Sequence, residues 1–272
     1  MRQILVIGSV NHDCIWQLEQ PLVSGRRVRV REKSLVLGGG GFYTGKALLD
    51  LGAEVALVSR LRRDELGRGA LDALNELGFQ TRHVELVDGE TKPLDILLDP
   101  NGERTILAPA SRVTDEPIRI ADAAPSAAAY INALQPDAAL LDVLAHTPLV
   151  ISQLPLNPFT PRPADHVISS LDDIGGDIPG AWRRAVDLAG TRLKSLIVTN
   201  GPDPIAIYDG ASSRQIEASR IIGARNSLGA GDHFAGVLLH ALLSGLELAE
   251  AVHAAAVETA KWLERRYAQN SD

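Results

Sequence analysis

Two glycine-rich stretches hold the side chains best suited to chemistry. In the first, LVLGGGGFYTGKALLDLG (35–52), Gly40 is followed after four residues by Gly45-Lys46. That spacing fits most of a G-x-x-x-x-G-K-[ST] phosphate loop, but the last position is Ala47, where the motif needs a hydroxyl for magnesium. Such a loop also follows a buried parallel strand, so that phosphates reach a helix N-terminus. Here the preceding RVRVREKSLVL (27–37) begins by alternating Val with Arg, the pattern of a strand with one wet face. The phosphate-loop reading is therefore set aside, and Lys46 is expected to pair with Asp50 on a helix surface. Two readings of the glycines stay open. They form a flexible turn, or a turn that lets a polyhydroxylated ligand touch the backbone N–H groups of Gly39, Gly40 and Gly41.

The second stretch, ARNSLGAGDHFAGVLLHALLSG (224–245), sets Gly229, Ala230 and Gly231 at the mouth of a strongly amphipathic helix, with Asp232 in its first turn. Free N–H groups and the helix dipole favour an anion at such a place. A carboxylate there repels the anion. Asp232 is thus either an N-cap or a base that takes the proton of a hydroxyl as that hydroxyl attacks a phosphoryl group held by the N–H groups.

The surrounding elements must position these groups. ILVIGSV (4–10) reads as a buried strand, and Thr44, Ala47, Leu48 and Leu51 recur at helical spacing up to Gly52. EVALVS (54–59) is a second buried strand, and 65–78 a helix ending at Gly78. Residues 81–109 alternate, with Asn101-Gly102 as a hairpin turn. Strands are expected near 127–132, 148–152, 165–169 and 194–199, a hairpin strand at 204–210, and two helices after 230. The Pro- and Gly-rich 153–182 is the least legible part and is expected to rim a site. The sum is one α/β domain over 1–272, with a mainly parallel central sheet flanked by helices and a small antiparallel lid from about 14–36 and 82–107. One face of the lid would carry Val28, Val30, Ile96, Leu98 and Ile106.

The bulk numbers narrow the function. Apolar residues are 45% of the chain, enough for a substantial core, and the net charge of -7 disfavours non-specific nucleic-acid binding. No apolar run is long enough to span a membrane, and the opening run is too short for a signal peptide. The one cysteine, Cys14, allows no intrachain disulfide and no zinc quartet, and is expected to be a small buried residue in a cytoplasmic protein. His233 is expected to be exposed or packed, and Trp16, Trp182 and Trp262 to pack. His12, between Asn11 and Asp13, would point to the opposite face from both.

LGAGDHFAGVLLHALLSG resembles the C-terminal signature of the ribokinase, or PfkB, carbohydrate kinases, and the resemblance covers almost the whole chain. IGSVNHD (7–13) is similar to the family's opening G-x-x-N-x-D, which maps sugar binding to Asn11 and Asp13. GGGGFYTGKALLDLG resembles the N-terminal signature, and RRDELGRGALDALNELG, LLDPNGERTILAP and LIVTNGPDPIAIYDG resemble other family segments. The resemblance implies a ribokinase-like fold and an ATP-dependent kinase acting on a hydroxymethyl group of a sugar or sugar-like molecule. Asp232 would be the base, with the γ-phosphate over Gly229, Ala230 and Gly231. The sugar would meet Asn11, Asp13, Gly39, Gly40, Gly41 and Tyr43, and the nucleotide would meet Thr199, Gly201, Asn226, Ser227 and Ala256. Magnesium would bridge the phosphates, with Asp173 reaching it through water. The chain departs from the pattern at three places. Tyr43 stands where the family has Asn, Asn226 where it has Asp, and Ser170 and Asp173 where it has N-x-x-E. Asn226 puts potassium activation in doubt. A nucleoside or vitamin kinase, and a non-catalytic sugar or nucleotide sensor, remain as alternatives. The resemblance also implies a homodimer through the lids.

Overall fold

A computed structural model describes residues 3–110, 116–120, 126–217 and 227–269. The chain opens with β1 (Gln3–Ile7) and turns at Gly8 into two long strands, β2 (Asn11–Leu18) and β3 (Val30–Gly38), before α1 (Gly40–Asp50). It continues through β4 (Glu54–Arg62), α2 (Glu65–Glu76) and β5 (Gln80–Val87) to a hairpin, β6 (Leu94–Leu98) and β7 (Arg104–Leu107). Then follow β8 (Ala128–Ile131), α3 (Ala138–His146), β9 (Val150–Gln153), β10 (His166–Ser170) and α4 (Ile178–Ala189). The last elements are β11 (Ser195–Asn200), β12 (Asp203–Tyr208), β13 (Ser213–Ile216), α5 (Ala230–Leu243) and α6 (Leu248–Gln269).

Nine strands form the main sheet in the order β13-β12-β11-β10-β9-β8-β1-β4-β5. It is parallel from β5 to β11 and antiparallel at β12 and β13. Parallel strands bury both faces under crossover helices, which is why β1 is apolar at every position from Ile4. Ile4 and Val6 join the core shared with α1, α2, α5 and α6, whereas Leu5 and Ile7 join the core shared with α3 and α4. From β1 the chain winds outward to β4 and β5, then returns across β1 to β8 and winds the other way. The winding therefore reverses between β1 and β8, and such a reversal opens a crevice beyond the strands' C-terminal ends.

The second sheet, β3-β2-β6-β7, is the lid. Its outer pairings are antiparallel and its central pairing, β2 with β6, is parallel. Its second piece begins at Leu94, later than the alternation from residue 82 suggests, because 82–87 belongs to β5 of the main sheet. β5 alternates as the edge of the main sheet and β6 alternates inside a small sheet, so alternation cannot tell the two apart. The expected apolar lid face also splits: Ile96 is 2% exposed, whereas Ile106, its partner on the same face, and Val30 are open to solvent at 46% and 42%; Leu35 and Leu107, on the other face, are open at 48% and 52%. The first strand is shorter than expected, since Gly8, Ser9 and Val10 form the turn into β2.

The illegible 153–182 contains β10 and the start of α4. No helix lies between β9 and β10. Residues 154–165 make the parallel crossover alone, held by Arg162 donating to the Ala133 carbonyl and Arg184 to the Pro155 carbonyl.

Candidate active site

Three glycines in the crevice make room for two polar side chains. A Cβ at position 38 would lie 1.8 Å from Asp13 Oδ2. A Cβ at position 40 would lie 1.6 Å from Asn132 Nδ2 and 2.8 Å from Asp232 Oδ1, and one at Gly8 would lie 2.4 Å from Asn132 Oδ1. The ends of β1 and β8, the start of α1 and the start of α5 therefore meet at one point. Asp13 Oδ1 and Asn132 Oδ1 are buried there without a hydrogen-bond partner. Buried acceptors are nearly always satisfied, so two orphans in one crevice point to a ligand that brings donors.

The glycine run serves this space rather than presenting its own amides. Gly40 N–H donates to Ser9 Oγ (3.2 Å) and Gly41 N–H to the Ser9 carbonyl (2.9 Å), so neither is free for a hydroxyl. The expectation that these two amides touch the ligand is corrected accordingly. Gly39, at φ 95°, approaches Ser9 so closely that a Cβ would sit 2.5 Å from its carbonyl oxygen. Asn11 opens β2 opposite Gly38, and Lys46 pairs with Asp50 as the spacing predicts.

Opposite the turn stands the N-terminus of α5. Gly229 caps it in the left-handed conformation (φ 78°), and no side chain caps it. The Ala230 N–H is taken by the Ser227 carbonyl at 3.0 Å, which corrects its expected place under the phosphate, and the amides of Gly229 and Gly231 with the positive end of the helix dipole are left for the crevice. Asp232 lies in that first turn, and its backbone carbonyl accepts from Thr44 Oγ1 at 3.0 Å, which ties α5 to α1. Tyr43 packs against that turn. It is 8% exposed, and a Cβ at Gly229 would lie 2.6 Å from its ring. Its ring meets Phe42 and Trp262 edge-on and walls the back of the Gly229 turn, while its hydroxyl feels the charges of Arg266, Asp13 and Asp232.

The electrostatics set the two acids apart from ordinary carboxylates. Burial pushes Asp13 up to about 6. Burial also pushes Asp232 up to about 6; the Asp13 charge adds to this, while Arg104 and the Tyr130 hydroxyl oppose it. Tyr130 is fully buried and held neutral by that burial; its hydroxyl lies near Thr44, Asn132 and Asp232 yet makes no hydrogen bond of normal geometry. His233 is packed, not exposed: it stacks on Trp262 at 4.6 Å, bonds Thr259 Oγ1 at 3.0 Å, and burial lowers it to about 4. His12 is buried, on the strand face opposite Asp13.

The remaining expected residues spread along the sheet edge. Thr199 is the penultimate residue of β11 and donates to the Ser169 carbonyl at 3.3 Å; Gly201 follows the strand at φ 54°. Ala256 is 8% exposed on α6. Ser227 Oγ accepts from Arg104 Nη1 at 2.7 Å, and Asn226 lies outside the described residues. Asp173 is exposed on the turn after β10, where its N–H donates to Ser170 Oγ. Among the described residues, no three His, Cys, Asp or Glu side chains are grouped to hold a metal. Cys14 is buried; Trp16 donates to Asp95, and Trp182 packs edge-on against Tyr208.

Sequence reading missed Asn132, Tyr130, Arg104 and Arg266. Asn132 and Tyr130 end a strand that reads only as a buried apolar run, and Arg104 sits in a hairpin that reads only as alternation. The one available signal for Asn132 was an amide at the C-terminal end of a buried strand.

A family model described as pfkB family carbohydrate kinase matches residues 1–142 and 172–272. The gap between the two spans covers β9 and the helix-free crossover. Among solved structures, a microbiome-derived acarbose kinase is 20% identical, with a TM-score of 0.73 over 97% of this chain and 98% of its own. A Burkholderia thailandensis nucleoside kinase in complex with inosine is 19% identical, with a TM-score of 0.70 over 94% and 89%. An Arabidopsis thaliana ribokinase complexed with ribose and ATP is 17% identical, with a TM-score of 0.67 over 97% and 93%. The arrangement of a large, mostly parallel sheet with a small lid sheet is that of the ribokinase-like fold.

Proposed function

The chain belongs to the pfkB family of carbohydrate kinases, phosphotransferases with an alcohol acceptor, and from that premise we propose that it phosphorylates a hydroxymethyl group of a sugar or sugar-like molecule. The observation that carries the reading is the convergence at Gly40: Asp232 Oδ1, Asn132 and the start of α5 around one crevice, with the orphaned Asp13 Oδ1 beside it. Asp13 and Asn132 accept hydrogen bonds from the acceptor's other hydroxyls. Asp232 orients the reacting hydroxyl and takes its proton, while the amides of Gly229 and Gly231 hold the oxygens of the transferring group; the Ala230 N–H closes the turn on the Ser227 carbonyl at 3.0 Å.

ATP supplies the phosphoryl group. Its place in this reading runs along the sheet edge from the Gly229 turn to Thr199, Gly201 and Ala256. From β1 to β11 is four strand spacings, about 19 Å, enough for an extended nucleotide. Among the described residues no acidic or histidine cluster is grouped to hold magnesium, so in this reading it arrives with the nucleotide and no step is assigned to it. The lid shields the crevice from water, which otherwise competes for the phosphoryl group, and Arg104 reaches from the lid to Ser227 at the mouth. The exposed lid residues Leu35 and Leu107 suit a homodimer through the lids. No described helix is long and apolar enough to cross a membrane, and a cytoplasmic location belongs to the same reading because ATP is needed.

Coupled ADP release across a panel of sugars, nucleosides and pyridoxal tests the proposal. Turnover on a sugar supports it, turnover on nucleosides alone moves the acceptor class, and no turnover on any acceptor by folded protein leaves a sensor.

A further inference from the structure

The back of the phosphate turn is held by a guanidinium that the reaction scheme does not use. Arg266, in the last turn of α6, donates from Nη1 to the Leu228 carbonyl at 2.8 Å. Its guanidinium lies 4.8 Å from the Trp262 ring centre and 5.8 Å from that of Tyr43. Trp262 in turn stacks on His233, next to Asp232 in the chain. Among the described residues no carboxylate pairs with Arg266, whereas its neighbour Arg265 does pair, with Glu258.

The bond fixes more than one atom. A peptide is planar and trans, so the carbonyl of Leu228 and the N–H of Gly229 point in opposite directions. Holding that carbonyl against α6 aims the Gly229 amide the other way, toward the mouth of α5. Glycine at 229 makes this necessary. It is the residue that tolerates φ 78° there, and the same freedom lets the plane before it rotate at little cost. The Tyr43 ring limits where the turn can move, and its hydroxyl meets the same Arg266 guanidinium.

We infer that Arg266 is a positioning residue for phosphoryl transfer: it locks the Leu228–Gly229 peptide so that the Gly229 amide faces the transferring group, and it places a fixed positive charge behind it. The inference rests on the reading of 227–231 as the phosphoryl-binding turn. A preorganised donor is worth most where charge develops in the transition state, so the effect falls on the chemical step more than on acceptor binding.

Three variants test it. Arg266→Met keeps an unbranched stem against Trp262 and removes the donor. Arg266→Ala leaves room for free guanidinium, and Arg266→Lys keeps a charge without the planar fork. In R266M we expect kcat to fall about 10²-fold, with the acceptor KM and ADP affinity within about twofold. Calorimetry should show ATP losing its advantage over ADP. Millimolar guanidinium should restore part of the R266A rate with saturation, and R266K should lie between. Wild-type kcat and an unchanged ATP-to-ADP ratio in R266M overturn the inference. So does a slow R266A of normal melting temperature that guanidinium does not rescue, since that makes the residue structural. Should R266A not fold, R266K and R266M decide. If the wild-type protein neither phosphorylates any acceptor nor distinguishes ATP from ADP, the phosphoryl reading of the turn fails, and the inference with it.

Discussion

Replacing Asp13 by Asn should stabilise the protein at neutral pH and leave it unchanged near pH 4. Asp13 is 2% exposed, and burial lifts its carboxyl from an ordinary 3.8 to about 6. The folded chain therefore binds this proton more tightly than the unfolded chain. The sign follows directly: stability linked to Asp13 is fully present below about pH 4 and is lost as pH rises through about 6. Two pKa units at about 1.4 kcal/mol each give roughly 3 kcal/mol, an upper figure, because part of the repulsion is shared with Asp232. For a chain of this size that is a rise in melting temperature of about 5–10 °C. The assay is a set of thermal melts at pH 4, 5, 6, 7 and 8 for the wild-type and D13N proteins. The difference should be near zero at pH 4, grow between 4 and 6, and then level off. It should also shrink in an Asp232→Asn background, because the two carboxylates repel one another. A difference independent of pH, or a D13N protein less stable at pH 8, would refute the argument. Either result would mean that Asp13 has a buried partner or is far wetter than its 2% exposure implies.

Other expectations follow from the same site. Asp232→Asn should keep the fold and nucleotide binding but lower the rate about 10²–10⁴-fold, and the wild-type rate should fall as pH drops through about 6, because the base must be ionised; near wild-type turnover in the purified variant would remove Asp232 from the role. Asp13→Ala should weaken acceptor binding by about 1.5–3 kcal/mol and barely change ATP affinity, and calorimetry showing the reverse would exchange the two ends of the site. Replacing sodium by potassium at fixed ionic strength should not raise the rate, given Asn226 and the Arg266 guanidinium already on the Leu228 carbonyl; a several-fold gain would show that other groups bind the ion. Light scattering at micromolar concentration should give twice the 29.1 kDa chain mass, and a clean monomer mass would mean that the lid covers only the acceptor.

Local patterns carried the α/β alternation, the helices over 40–50 and 230–243, and the hairpin at Asn101-Gly102. They also isolated Asp232, because Gly-Ala-Gly-Asp at a helix start is a short-range arrangement of amides, dipole and charge. The lid boundary was not legible in the same way: β5 and β6 both alternate, and only pairing shows that β5 joins β4 while β6 joins β2.

Two short stretches far apart in the chain mark where the backbone has to be free of side chains: Gly38, Gly40 and Gly229. What fills those spaces was decided by tertiary structure alone. Asp13 occupies the space at Gly38, Asn132 that at Gly40, and the Tyr43 ring that at Gly229. Each is a long-range juxtaposition set by strand order, by the reversal of winding between β1 and β8, and by the packing of α1 against α5. The same holds for Arg266, which lies 38 residues beyond the carbonyl it holds. Residue spacing reports periodicity within one element, but a contact between elements depends on how several of them bury their apolar faces together, and no single stretch encodes that.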